Sequence, residues 1–125
     1  MEASINVLGT PLKLCSHEPK TGWFRDGCCN TEPGDRGSHT VCCQVTDAFL
    51  NFLQHRGNDL ITPMPQFGFQ GLKEGDCWCV CAGSWYEAFM VGTACPVYLE
   101  STHARALSSV PLEALMANAA ELPEA

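Results

Sequence analysis

TVCCQVTDAFLNFLQHRG, residues 40–57, changes its period in the middle, and that change decides the fold class. Over residues 40–45 the side chains alternate. Val41, Cys43 and Val45 take one face and Cys42 and Gln44 the other, the pattern of a half-buried strand. From Thr46 onward the spacing is helical, with Phe49, Phe52 and Leu53 on one stripe, and Thr46 or Asp47 can accept from the free amides of the first turn. His55 and Arg56 stand at the negative end of the macrodipole, and Gly57 supplies a left-handed stop.

The downstream sequence repeats this grammar. Residues 77–82 read as a short buried strand, and Ser84 with Glu87 forms a capping box ahead of Trp85, Ala88 and Phe89. Gly92 ends that helix, and Pro96 opens a third strand, PVYLE. Thr102 caps a short helix through Leu107, and Pro111 begins a last helix striped by Leu112, Leu115 and Met116. Strand, helix, strand from 77 to 100 is a crossover unit whose two strands run parallel where they are neighbours. Segments 16–39, with Pro19 and Pro33 among its turn residues, and 57–76 are rich in Gly and Pro; loops of that length usually carry function. The expectation is α+β: one domain over 1–125 with a small mixed sheet, about four short helices and two long Gly/Pro-rich loops. The ends, about 1–3 and 120–125, should fray.

Composition narrows the function. The net charge is −7, and the seven Lys and Arg are scattered singly, so nucleic acid and anionic membranes are poor partners. Without a basic, apolar leader or a run of about 18 apolar residues, the reading is a soluble cytoplasmic protein. Thiols stay reduced in that compartment, and nine cysteines cannot all pair within one chain, so a disulfide framework is not expected. Dinucleotide, Walker, zinc-protease and serine-hydrolase motifs are all absent.

The cysteines carry the remaining signal. In GDCWCVCAGSW, residues 75–85, strand alternation sends Cys77, Cys79 and Cys81 to one face and Trp78, Val80 and Ala82 to the other. Cys43 shares its face with Val41 and Val45 and is assigned to the core. Three readings stay open. Cys28, Cys29, Cys42, Cys79 and Cys81, with His39 or His17, can supply a tetrahedral zinc site, although no C-x-x-C spacing occurs. A loop thiol such as Cys28 or Cys42, activated by His39 or His103, can act as a nucleophile. Alternatively the thiols are small polarizable packing residues of a structural or partner-binding module. His103 lies in the first turn of an expected helix, whose dipole keeps it neutral. Asn58 and Asp59 suit turn-making, with Asp59 also able to position a ligand or a proton.

TGWFRDGCCNT, HTVC, RGNDLITPMPQFGFQGLKEGDCWCVCA and LESTHARAL resemble a family of uncharacterised bacterial and plant proteins catalogued only as a domain of unknown function. The resemblance spans nearly the whole chain and implies no activity. It places Cys15, Cys28, Cys29, Cys42, Cys79, Cys81, His39, His103, Asn58, Asp59, Asp76 and Trp78 on positions of the family pattern. Cys43, Cys77 and Cys95 depart from it, as do Gln70, where proline is expected, and Ser84, where arginine is. The expected function is binding of a small molecule or metal ion at a Cys/His-lined site where the long loops meet the strand carrying Cys79 and Cys81. Thiol catalysis is the alternative. Oligomeric state is not legible.

Overall fold

The computed structural model describes residues 4–17 and 21–120. The fraying expected at 1–3 and 121–125 and the turn at Pro19 lie outside that range.

The α+β class holds. Strand β1 (His39–Gln44) pairs antiparallel with strand β2 (Cys77–Cys81), with Cys42 opposite Cys79 and Cys43 opposite Trp78. Three α-helices follow the chain: α1 (Asp47–His55), α2 (Ala82–Met90) and α3 (Leu112–Ala117). Short 3-10 turns lie at Pro65–Phe67, Leu99–Ser101 and Ala104–Ser108. Helix α1 forms as its sequence predicts. The Thr46 hydroxyl accepts from the Phe49 amide, and Phe49, Leu50 and Leu53 are buried.

Five expectations are corrected. The regular sheet is antiparallel rather than mixed, and residues 96–100 form no strand. Val97 makes one antiparallel bridge to Cys43 and one parallel bridge to Ala119, then the chain coils into the turn at Leu99. Val97 runs in the direction of β2, but β1 lies between them, so the neighbouring parallel pair of the crossover expectation does not form. Helix α2 starts at Ala82, so Ser84 and Glu87 lie inside it rather than forming a capping box; Glu87 instead pairs with Arg56 at 2.5 Å. The helix expected from Thr102 is a 3-10 turn capped by His103. Ala120, expected to fray, donates its amide to the Val97 carbonyl at 2.7 Å.

The ribbon β1–β2 has two unlike faces. Val41, Cys43, Trp78 and Val80 join Phe49, Leu53, Trp85, Leu99 and Leu115 in the apolar core. Cys42 and Cys79, on the other face, form a separate buried cluster with Cys29, against which Cys15 and Tyr98 pack. The predicted alternation of both strands thus holds, and Cys43 is core.

Candidate functional site

The site grows from an irregularity in this ribbon. From Gln44 to Val41 the register is regular, but it then slips by one, so that His39 rather than Thr40 opposes Cys81. Residues opposite one another in an antiparallel pair share a face, so the bulge moves His39 onto the side of Cys81. Ser38 holds it at a φ of 53°, its carbonyl accepting from the Thr40 amide at 2.8 Å and the Ala82 amide at 3.0 Å. A left-handed serine is an outlier of the kind that concentrates at functional sites.

The result is a chain of three side chains. The Cys81 Sγ lies 3.4 Å from Nε2 of His39, and Nδ1 of His39 lies 2.6 Å from Oδ1 of Asp35. The second Asp35 oxygen accepts from the His39 amide at 2.9 Å and from the Thr31 hydroxyl at 3.0 Å. The Asp35 side chain is fully buried, while 34% of the His39 side chain remains exposed. The hydrogen bond with Cys81 does most to raise His39, burial opposes it, and the Asp35 carboxylate adds to it; the imidazole is pushed up to about 9. Burial alone raises the Asp35 carboxyl, but the hydrogen bonds from His39 and Thr31 outweigh it and hold Asp35 below its ordinary value. Trp23 stacks on the imidazole at 5.8 Å between centroids. At Gly37 a Cβ would come within 2.9 Å of the Cys81 sulfur, so only glycine leaves the thiol its space.

Cys81 is also the N-cap residue of α2, and no side chain caps that helix. Its sulfur therefore stands by the positive end of the macrodipole, beside first-turn amides with no intrahelical partner. Loop and strand are tied together here: the Cys79 amide donates to the Thr21 hydroxyl at 2.9 Å, pinning the turn that carries Trp23 and Arg25 over β2. A cleft of about 530 Å³ opens onto His39 and Cys81, walled by Trp23, Phe67, Phe69 and Trp78, with Asn58 and Asp59 among its polar lining. A second cavity of about 750 Å³ shares Arg25, Phe67, Phe69 and Trp78 with it.

The other proposed thiols do something different. Cys15 is bonded to Cys42 and Cys29 to Cys79, which corrects the expectation of reduced thiols. An argument from compartment and from an odd count says nothing about proximity, whereas β1 and β2 set Cys42 and Cys79 side by side and the loops bring a partner to each. As disulfides, Cys29, Cys42 and Cys79 offer no thiolate, so the proposed five-cysteine metal set does not assemble, and Cys42 is not a nucleophile. The sulfurs of Cys15, Cys29 and Cys79 nevertheless lie within 4.8 Å of one another. Cys28 is free and half-buried, and burial followed by the Asp26 carboxylate pushes its thiol up, against nucleophilic use.

His103 and Asp59 have structural roles. The His103 Nδ1 accepts from the Arg105 amide at 2.9 Å, and burial, then the Arg105 charge, hold its pKa down. The shift comes from burial rather than from a helix dipole, and His103 does not line the cleft. The Asp59 carboxylate accepts from the Ile61 amide at 2.9 Å and the Thr62 amide at 3.0 Å, a turn at the rim of the cleft. Asp35 was the residue that sequence reasoning missed. Its only signal is its place four residues before His39 on an otherwise turn-like loop.

Across residues 5–119 the chain matches a protein family described as "Uncharacterized protein conserved in bacteria (DUF2237)". No curated protein matches it.

Proposed function

We propose, for a chain that belongs to this uncharacterised family conserved in bacteria, a thiol enzyme that binds a small molecule in the cleft and attacks its acyl carbon with Cys81. The observation that carries the reading is the line Cys81–His39–Asp35, with a sulfur-to-nitrogen distance of 3.4 Å and a buried carboxylate behind the ring. His39, its ring pushed up to about 9, already holds the proton at neutral pH; the Cys81 sulfur bonds to the acyl carbon, and the bond to the leaving group breaks as His39 gives that proton to it. Water, deprotonated by His39, then cleaves the thioester and frees the Cys81 sulfur beside the reprotonated ring. Asp35 fixes the ring so that Nε2 faces the sulfur, and the first-turn amides of α2 that follow Ala82, whose own amide is taken by the Ser38 carbonyl, are donors for the charge that develops on the acyl oxygen.

The test is the rate at which each free thiol of the folded protein reacts with iodoacetamide near neutral pH, read by peptide mass spectrometry. Cys81 should react at least tenfold faster than Cys28 and Cys77, and His39→Asn should remove that advantage. Equal rates at the three thiols would end the proposal.

A second reading rests on the sulfur cluster. When a dithiol reductant opens the two bridges, Cys15, Cys29, Cys42 and Cys79 supply four thiolates in one small volume, the donor set of a structural zinc site. Protein purified under dithiol with zinc should hold one equivalent, bound at the expense of all four thiols. Less than a tenth of an equivalent removes this reading and leaves the disulfides as the cluster's only state.

A further inference from the structure

Within a chain of net charge −7, the walls of the larger cavity gather an unusual share of positive charge. Arg25 and Lys73 line it with His17, and the opposing charge is Asp76. That carboxylate already accepts from the Lys73 amide at 3.0 Å. Among the described residues neither Arg25 nor Lys73 forms an ion pair.

Arg25 is the hinge between the two cavities. It borders both, together with Phe67, Phe69 and Trp78, so the aromatic wall beside Cys81 runs on into the basic cavity. Its backbone is held at a φ of 56°, the second of two non-glycine residues in the left-handed region among those described, the first being Ser38. At Gly22, three residues earlier, φ is 101° and a Cβ would collide with the Cys28 carbonyl, so the turn fixes where Arg25 stands. Its guanidinium lies over the Trp78 ring, 5.2 Å from the centroid. One Nη of the stacked guanidinium donates to the Gly22 carbonyl at 3.4 Å, and the N–H groups left over form the fork that matches a carboxylate.

We infer that the substrate of the Cys81 site is an aromatic or otherwise flat acyl compound with a carboxylate at its far end, gripped by Arg25 and Lys73 while the acyl carbon meets the thiol. This rests on the thiol-enzyme reading and adds the substrate's charge and shape. Lys73 contributes long-range attraction, and Arg25 contributes orientation. Neither touches the reacting atoms, so both are specificity residues.

Two probes that differ only in charge test it on the full chain: 4-(chloroacetamido)benzoate and its uncharged carboxamide. In each, the Cys81 sulfur bonds to the chloromethyl carbon and chloride leaves. The benzoate should modify Cys81 at least tenfold faster than the carboxamide. Arg25→Gln should bring that ratio close to one, and Lys73→Gln, at an exposed position, should reduce it part of the way. A ratio near one in the unsubstituted protein, or one that survives Arg25→Gln, overturns the inference. The carboxamide rate judges the underlying reading separately. If it is no faster at Cys81 than at Cys28 and is indifferent to His39→Asn, the nucleophile is wrong, whatever the charge ratio shows.

Discussion

Cys42 and Cys43 are neighbours in sequence and opposites in role. Cys43 faces the core, where burial first, then Cys95 and Cys77, push its thiol well above the ordinary range, so it behaves as a small apolar residue. Cys42 faces the loops, where it is covalently bonded to Cys15. The same division runs down β2: Trp78 and Val80 pack into the core, Cys79 is bonded to Cys29, and Cys81 meets His39. What a cysteine does here is set by which side of a two-stranded ribbon it occupies, not by its neighbours in sequence.

The sharpest way to break that comparison is to remove cysteines from each face in turn. Replacing Cys15 and Cys42 together by alanine opens a covalent loop with a separation of 27 residues. That should lower the unfolding free energy by about 2–4 kcal/mol, because the unfolded chain regains the freedom the bridge denied it. Cys43→Ala removes one sulfur from a packed core and should cost only about 1 kcal/mol, the scale of a small truncation. Urea unfolding without reductant measures both. A Cys43 loss equal to that of the pair would mean that both faces are ordinary core.

The two faces were not equally legible. The alternation of residues 40–45 and 77–82 separates Cys43 from Cys42, and Trp78 from Cys79, because a strand's period is local. The helical stripe of Phe49 and Leu53 with its Thr46 cap is equally local. The disulfides depend on where residues 15 and 29 fold over the ribbon, and nothing within a few residues of either specifies that. The Cys81–His39 contact joins positions 42 apart in sequence and exists only because the register slips at Thr40. A bulge of that kind depends on Ser38 adopting a left-handed backbone, which a serine does not announce. The third strand failed for a related reason. Pro96 has no amide to donate, and although the Tyr98 amide reaches the Cys42 carbonyl, the chain then turns away at Leu99.

A smaller effect sharpens the contrast, because the loop-facing side carries an imidazole whose hold on its proton tightens on folding. His39 is raised to about 9 in the folded protein from an ordinary 6.5, chiefly by its hydrogen bond to Cys81, with burial opposing and Asp35 assisting. A group raised on folding binds its proton more tightly in the folded state. Its stabilisation is therefore complete below about pH 6.5 and is lost as pH rises through about 9. Over most of that window Cys43 is protonated in the folded and the unfolded chain alike and contributes little, its own effect beginning only toward pH 9. The thermal midpoint should therefore fall between about pH 6.5 and 9 in the unsubstituted protein, and His39→Asn should fall less over the same range. Asp35→Asn should lie between the two, since it removes the assisting charge but leaves the partner sulfur in place. If the unsubstituted protein and His39→Asn keep a constant difference across the window, the imidazole carries no extra proton on folding. The ribbon's loop-facing side would then be held by its disulfides alone.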